Sequence, residues 1–92
     1  MIDRKTELLI ILQEEACEVT QAVSKLFRFG PEAHNPKDRK KITNIDHLET
    51  EIGDVLGVLK YLIEEGFLDG DKIEKAAHDK AKKLDKYMRN AK

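Results

Sequence analysis

The sequence predicts an all-α protein: a helical bundle of three main helices per chain, completed by oligomerisation. Three observations lead there. Apolar residues recur at three- and four-residue steps through three separate stretches. The chain has no Trp, only two Pro and few clusters of β-branched residues, which argues against an all-β fold. Its 40% hydrophobic and 38% charged residues suit a soluble, helix-rich protein.

The first helix is expected from about Asp3 or Thr6 to about Phe29. Leu8, Ile11, Leu12, Val19, Ala22, Val23 and Leu26 supply its period. Gly30-Pro31 ends it, because Gly suits the position after a helix and Pro cannot continue one. Residues 30–43 form a polar loop, long for a helix–helix connection. Thr43 or Asn44 can cap the second helix. Ile45, Leu48, Ile52, Val55, Leu56, Val58, Leu59, Leu62 and Ile63 surround most of it, so it should be the central, most buried helix. Gly53 and Gly57 lie four apart within it. The preferred reading is a smooth strip on which a neighbouring helix packs; the alternative is room for a metal-bound ligand beside Asp54. Gly66 stops the helix. Asp71 followed by Glu74 resembles a capping box for a third helix. That helix should run to about Met88, with Ile73, Ala76, Ala77, Ala81, Leu84, Tyr87 and Met88 facing inward. The tail from Arg89 to Lys92 is expected to fray.

Ninety-two residues make one small domain with a modest core, so a further partner surface is expected. A broadly apolar middle helix points the same way, to a homodimer or a dimer of dimers. A net charge of −1 gives no global pull toward nucleic acid or membrane, although 37–41 and 80–89 are locally basic. No apolar run approaches the ~20 residues of a membrane span. The first residues do not read as a signal peptide. Cys17, the lone cysteine, reads as a packing or surface residue and suits a reducing compartment. The expected location is cytoplasmic.

The chemistry lies in two acidic pairs, Glu15 with Glu18 and Glu51 with Asp54. A helix turns about 100° per residue. Leu8, Val19, Ala22 and Leu26 therefore lie within roughly 40° of Glu15, and Val55, Val58 and Leu62 within roughly 40° of Glu51. Both pairs thus sit on apolar faces. A buried, ionised carboxylate must be paired, protonated or bound to metal. Residues three apart project to the same side of a helix, so each pair can grip one hard cation. Two antiparallel helices would bring the pairs face to face. Carboxylates without His or Cys favour Mg²⁺, or Mn²⁺, over Zn²⁺. A ferritin-like di-iron site would need Glu-x-x-His motifs, and none is present. His34, His47 and His78 read as surface or edge residues.

Glu14-Glu15-Ala16-Cys17-Glu18 followed by Glu51-Ile52-Gly53-Asp54 resembles the E-E-x-x-E … E-x-x-D signature of the MazG-like, all-α nucleotide pyrophosphohydrolases. The likeness extends over about Leu8 to Ile63, with a weaker echo in the basic third helix. The spacer between the motif halves is longer than in many relatives, and the excess falls in the 30–43 loop. Phosphoribosyl-ATP pyrophosphohydrolases share the superfamily pattern but usually carry more chain before the double Glu, and rank lower.

The resemblance implies one such domain over residues 1–92. It implies hydrolysis of a nucleoside triphosphate to the monophosphate and pyrophosphate, with Glu15, Glu18, Glu51 and Asp54 as ligands of Mg²⁺. Glu14 then orients water or lies behind the ligands, with a merely solvated side chain as the equal alternative. Lys25 and Arg28 on the first helix, and Lys80 and Lys83 on the third, become candidates for holding the outer phosphates, with a solvated surface charge as the equal alternative for each. The Lys37–Lys41 run is a candidate mobile clamp. Asn44 is a candidate for hydrogen bonding the base or sugar, with capping as its commoner job. Phe27 or Phe29 would stack on a base or pack against the second helix. Two rivals come from other classes: a non-catalytic helical interaction module and a nucleic-acid-binding helical protein. The balanced charge and the lack of interleaved aromatics weigh against stable nucleic-acid binding.

Overall fold

In the computed structural model, which describes residues 2–90, the chain forms three helices joined by one long and one short connection. Helix α1 spans Arg4–Phe29, α2 spans Asn44–Glu64 and α3 spans Gly70–Tyr87. The fold is all-α, as the periodicity predicts. The expected fraying at Ala91 and Lys92 lies outside the described residues.

Local chemistry sets each boundary. Asp3 caps α1 by accepting from the Thr6 amide at 2.8 Å. Gly30 closes α1 at φ +90°, donating its N–H to Leu26 O. Thr43 caps α2 in a reciprocal box: its hydroxyl accepts from the Asp46 amide, and the Asp46 carboxylate accepts from the Thr43 amide. Gly66, at φ +76°, ends α2 in the left-handed region. The cap of α3 is Asp69, whose carboxylate accepts from the Asp71 and Lys72 amides. This corrects the expected box at Asp71 and Glu74. Asp69 lies nearer the turn and reaches the free amides first.

Helices α1 and α2 form an antiparallel hairpin. Arg4 Nε of α1 meets Glu65 Oε2, just past α2, at 2.6 Å, while Gly30 and Asn44 meet at the other end. The seam between the helices holds Leu8, Val19, Ala22 and Leu26 against Val55, Val58 and Leu62, all buried or half-buried. Among the described residues, Ala22 and Leu62 are the only buried apolar ones.

Helix α2 is the most buried of the three, as expected, and its Ile52, Leu56 and Tyr61 stay exposed in one chain. Two packing expectations are corrected. Helix α3 has no buried residue, so its apolar side chains do not face an interior. It leaves the hairpin at Gly70, which lies against Ile63, and makes only marginal contact beyond it. Gly53 and Gly57 face open space, with no helix packed on them. The cause is common to both. Sequence periodicity marks a face that wants cover, but not whether the same chain supplies it.

Candidate active site

Glu15 and Glu18 project from the middle of α1, and Glu51 and Asp54 from the facing turns of α2. One carboxylate oxygen from each lies within 4.8 Å of the others. Glu15 and Glu51 lie deeper in the seam and are half-buried, whereas Glu18 and Asp54 sit at its exposed rim. Oε2 of Glu15 and Oε2 of Glu51 are shut off from solvent with no hydrogen-bond partner.

Such crowding raises the proton affinity of Glu15 and Glu51. The Glu15 carboxyl is pushed above its ordinary value first by desolvation, then by the charges of Glu18 and Asp54, with smaller effects from hydrogen bonding to Glu18 and from Glu14. Glu51 is also pushed up. There the leading cause is hydrogen bonding to the Glu18 carboxylate, followed by desolvation and the charges of Glu18, Asp54 and Glu15. No cationic side chain is ion-paired to any of the four among the described residues. Orphaned, half-buried acidic oxygens aimed at one point fit a divalent cation with oxygen-loving chemistry. Residues Glu15, Glu18, Glu51 and Asp54 can hold it.

Glu14 lies beside this cluster but is exposed. A cavity of about 240 Å³ adjoins the acids, lined by Glu18, Gln21, Lys25, Asn44, His47 and Glu51. Lys25 is therefore the candidate cation positioned beside the carboxylates. Arg28 is drawn instead over the ring of Phe29, 4.9 Å from its centre. Lys80 and Lys83, on the outlying α3, line neither cavity beside the acids.

Asn44 proves to be a strut. It is buried, its Nδ2 donates to Gly30 O at 2.9 Å and its amide donates to Ala33 O at 2.9 Å. Its neighbour Ile45 donates to Pro31 O at 3.0 Å. These bonds stitch shut the neck of the 30–43 loop. The loop itself turns around Asp38, whose carboxylate accepts from the Lys40 amide at 3.0 Å and the Ile42 amide at 3.1 Å. Asn35 Oδ1 accepts from the Lys37 amide in the same way. These turns hold the backbone of the Lys37–Lys41 run, whose lysine side chains are exposed. Phe27 and Phe29 are exposed, by 87% and 58%, so neither packs against α2.

The loop surrounds a second cavity of about 840 Å³ that shares Lys25, Asn44 and His47 with the first. His34, half-buried, and His47, exposed as a surface residue, both border this cavity. Sequence reasoning missed them, as it missed Asp38; the loop has no period from which to infer a shared wall.

Neither a comparison with curated proteins nor one with solved structures gives a match. The family comparison does: residues 4–89 match the MazG nucleotide pyrophosphohydrolase domain. That span takes in both acidic pairs, the loop between them and all three helices. With nearly the whole sequence matched and the motif's acids gathered at one point of an all-α hairpin, this chain belongs to the MazG nucleotide pyrophosphohydrolase family.

Proposed function

We propose that the protein hydrolyses nucleoside triphosphates, ribo- or deoxyribo-, to the monophosphate and pyrophosphate, using Mg²⁺ or, in its place, Mn²⁺. The observation that carries this reading is the convergence of Glu15, Glu18, Glu51 and Asp54, with two acid oxygens buried and unpartnered. A triphosphate is itself an anion and is repelled by four carboxylates. Bound there, divalent ions would screen the phosphates, neutralise charge in the transition state and make water more acidic.

The chain's own groups do the rest. Glu15 and Glu51 fix the depth of the site, and Glu18 and Asp54 present their oxygens at its mouth. Glu14, at the edge, orients the attacking water. The water oxygen joins the α-phosphorus as the α–β anhydride bond breaks, and pyrophosphate leaves with the bridging oxygen. Lys25 pairs with phosphate oxygens from the adjoining cavity. Lys80 and Lys83 complete the phosphate grip from another copy of the chain, while Arg28 stays over the Phe29 ring. This extends the proposal to a homodimer or homotetramer. The exposed Leu56, Ile73, Leu84 and Tyr87 support it, as does a core too small for one chain.

A panel of nucleoside triphosphates with Mg²⁺, assayed for monophosphate and pyrophosphate, tests the reaction. Glu18→Gln and Asp54→Asn should each abolish turnover while circular dichroism stays unchanged. Wild-type rates in both variants would refute the site.

A further inference from the structure

The two cavities share Lys25, Asn44 and His47 in their walls, so the loop cavity lies directly beside the one that adjoins the acid cluster. Their linings differ. The small cavity has acids and a lysine for its wall. The large one is walled by Phe29, Ala33, Pro36 and Ile42, with His34, Asn35 and Asp38 as polar groups set among them. Its 840 Å³ falls in the ~300–1,000 Å³ range of small-molecule sites, which pair apolar walls with a few oriented polar groups. A nucleotide has the same two-part character: a phosphate chain, then a flat ring with an apolar face and a polar edge.

We infer that the loop cavity receives the nucleoside half of the substrate, with Phe29 against the face of the base and Asp38 reading its edge. This rests on the hydrolase reading for the placement of the phosphates. Three features of Asp38 suit it to the task. Its two oxygens are held in place by the Lys40 and Ile42 amides. Each keeps a lone pair for another donor. The same backbone bonds hold its carboxyl below the usual range, helped by His47 and His34 nearby, so it stays an anion and accepts only. A fixed, accepting anion selects bases that turn N–H groups toward it. Guanine, with two adjacent donors on one edge, matches two carboxylate oxygens best. Phe29 is steadied by the Arg28 guanidinium and otherwise half open, which leaves ring surface for a base.

Steady-state kinetics over the triphosphate panel, together with amide chemical-shift mapping using the phosphate-free nucleosides, test the inference. Phe29→Ala should raise KM about tenfold, the lower part of the range for loss of one base–aromatic stack, with a smaller change in kcat. Asp38→Asn puts a donor where an acceptor stood, and should shift the base ranking away from guanine. Guanosine should perturb amides of residues 29–47 and leave those near Arg4 and Glu65 still. If triphosphates are hydrolysed but KM is unmoved by Phe29→Ala, and the ranking is unmoved by Asp38→Asn, the assignment of the cavity is wrong. If Asp38→Asn loosens the loop, Phe29→Ala and the mapping decide. If no triphosphate is hydrolysed, the hydrolase reading falls, and the mapping alone decides the cavity: shifts confined to the loop uphold it, and their absence overturns it.

Discussion

Glu15 and Glu51 tie stability to protons and, on the metal site proposed above, to a divalent cation. Their carboxyls are held above the ordinary value of 4.5 in the folded, metal-free chain. Folding therefore raises their affinity for protons. The stability this contributes is fully present below pH 4.5 and is lost as pH rises through the raised values. Asp3 and Asp38 act in the opposite sense. Amide hydrogen bonds lower both carboxyls, so their contribution is present above 3.8 and is lost as pH falls through the lowered values. With metal removed by chelator, the thermal midpoint should therefore be higher in mild acid than at neutrality. Glu51→Gln should flatten that slope, and millimolar Mg²⁺ should raise the midpoint at neutral pH with release of protons. Calorimetry across pH, with and without chelator, checks this; a midpoint that climbs steadily from pH 5 to 8 without metal would contradict it. Glu15, Glu18, Glu51 and Asp54 were legible as a cluster because a turn of 100° per residue places them among Val19, Ala22, Val55 and Leu62, which the structure puts in the same seam. Asp38 and His47 were not, because their meeting depends on loop turns and not on a repeating angle.

The helices and their punctuation were legible for a different reason: start and stop residues act over one turn, and that distance is written in the sequence. Gly30, Thr43 and Gly66 act where expected. Asp69 was missed because two acids near one helix start compete, and only the coordinates show which meets the free amides. Thr43→Ala should cost about 1 kcal/mol of stability, through loss of the box at the start of α2. Two glycines in and just after that helix should respond with opposite signs. Gly66→Ala should destabilise by about 1–2 kcal/mol, because its φ of +76° disfavours a Cβ. Gly57→Ala, with φ in the helical region and open space around it, should stabilise by about 1 kcal/mol. Urea titration of the three variants checks all of this, and a loss at Gly57 would place a partner on that strip.

The whole molecule is far from spherical. Its radius of gyration is 16.3 Å and its extents are 42 × 42 × 17 Å. A compact domain of this length would have a radius near ~12 Å. The slab arises because α3 leaves the hairpin instead of closing over it. An isolated chain of this shape exposes apolar side chains on all three helices and would be marginal in water. Unfolding should accordingly depend on protein concentration, with the midpoint rising across a hundredfold dilution series read from dilute to concentrated. Light scattering should give twice or four times the 10.6 kDa of one chain. A concentration-independent midpoint with a monomeric mass would sink the assembly proposal. Sequence could mark α3 as two-faced, but not what covers it, because a hydrophobic period is the same whether the neighbour is one's own chain or a copy.

The stitched neck of the loop has one further consequence. Asn44 clasps Gly30 and Ala33, so residues 31–42 begin and end at almost the same place. Such a segment is a cassette. Rewriting its interior should leave the rods that carry the acids unmoved, and, on the proposed reading, would change the choice of base independently of the cleavage step.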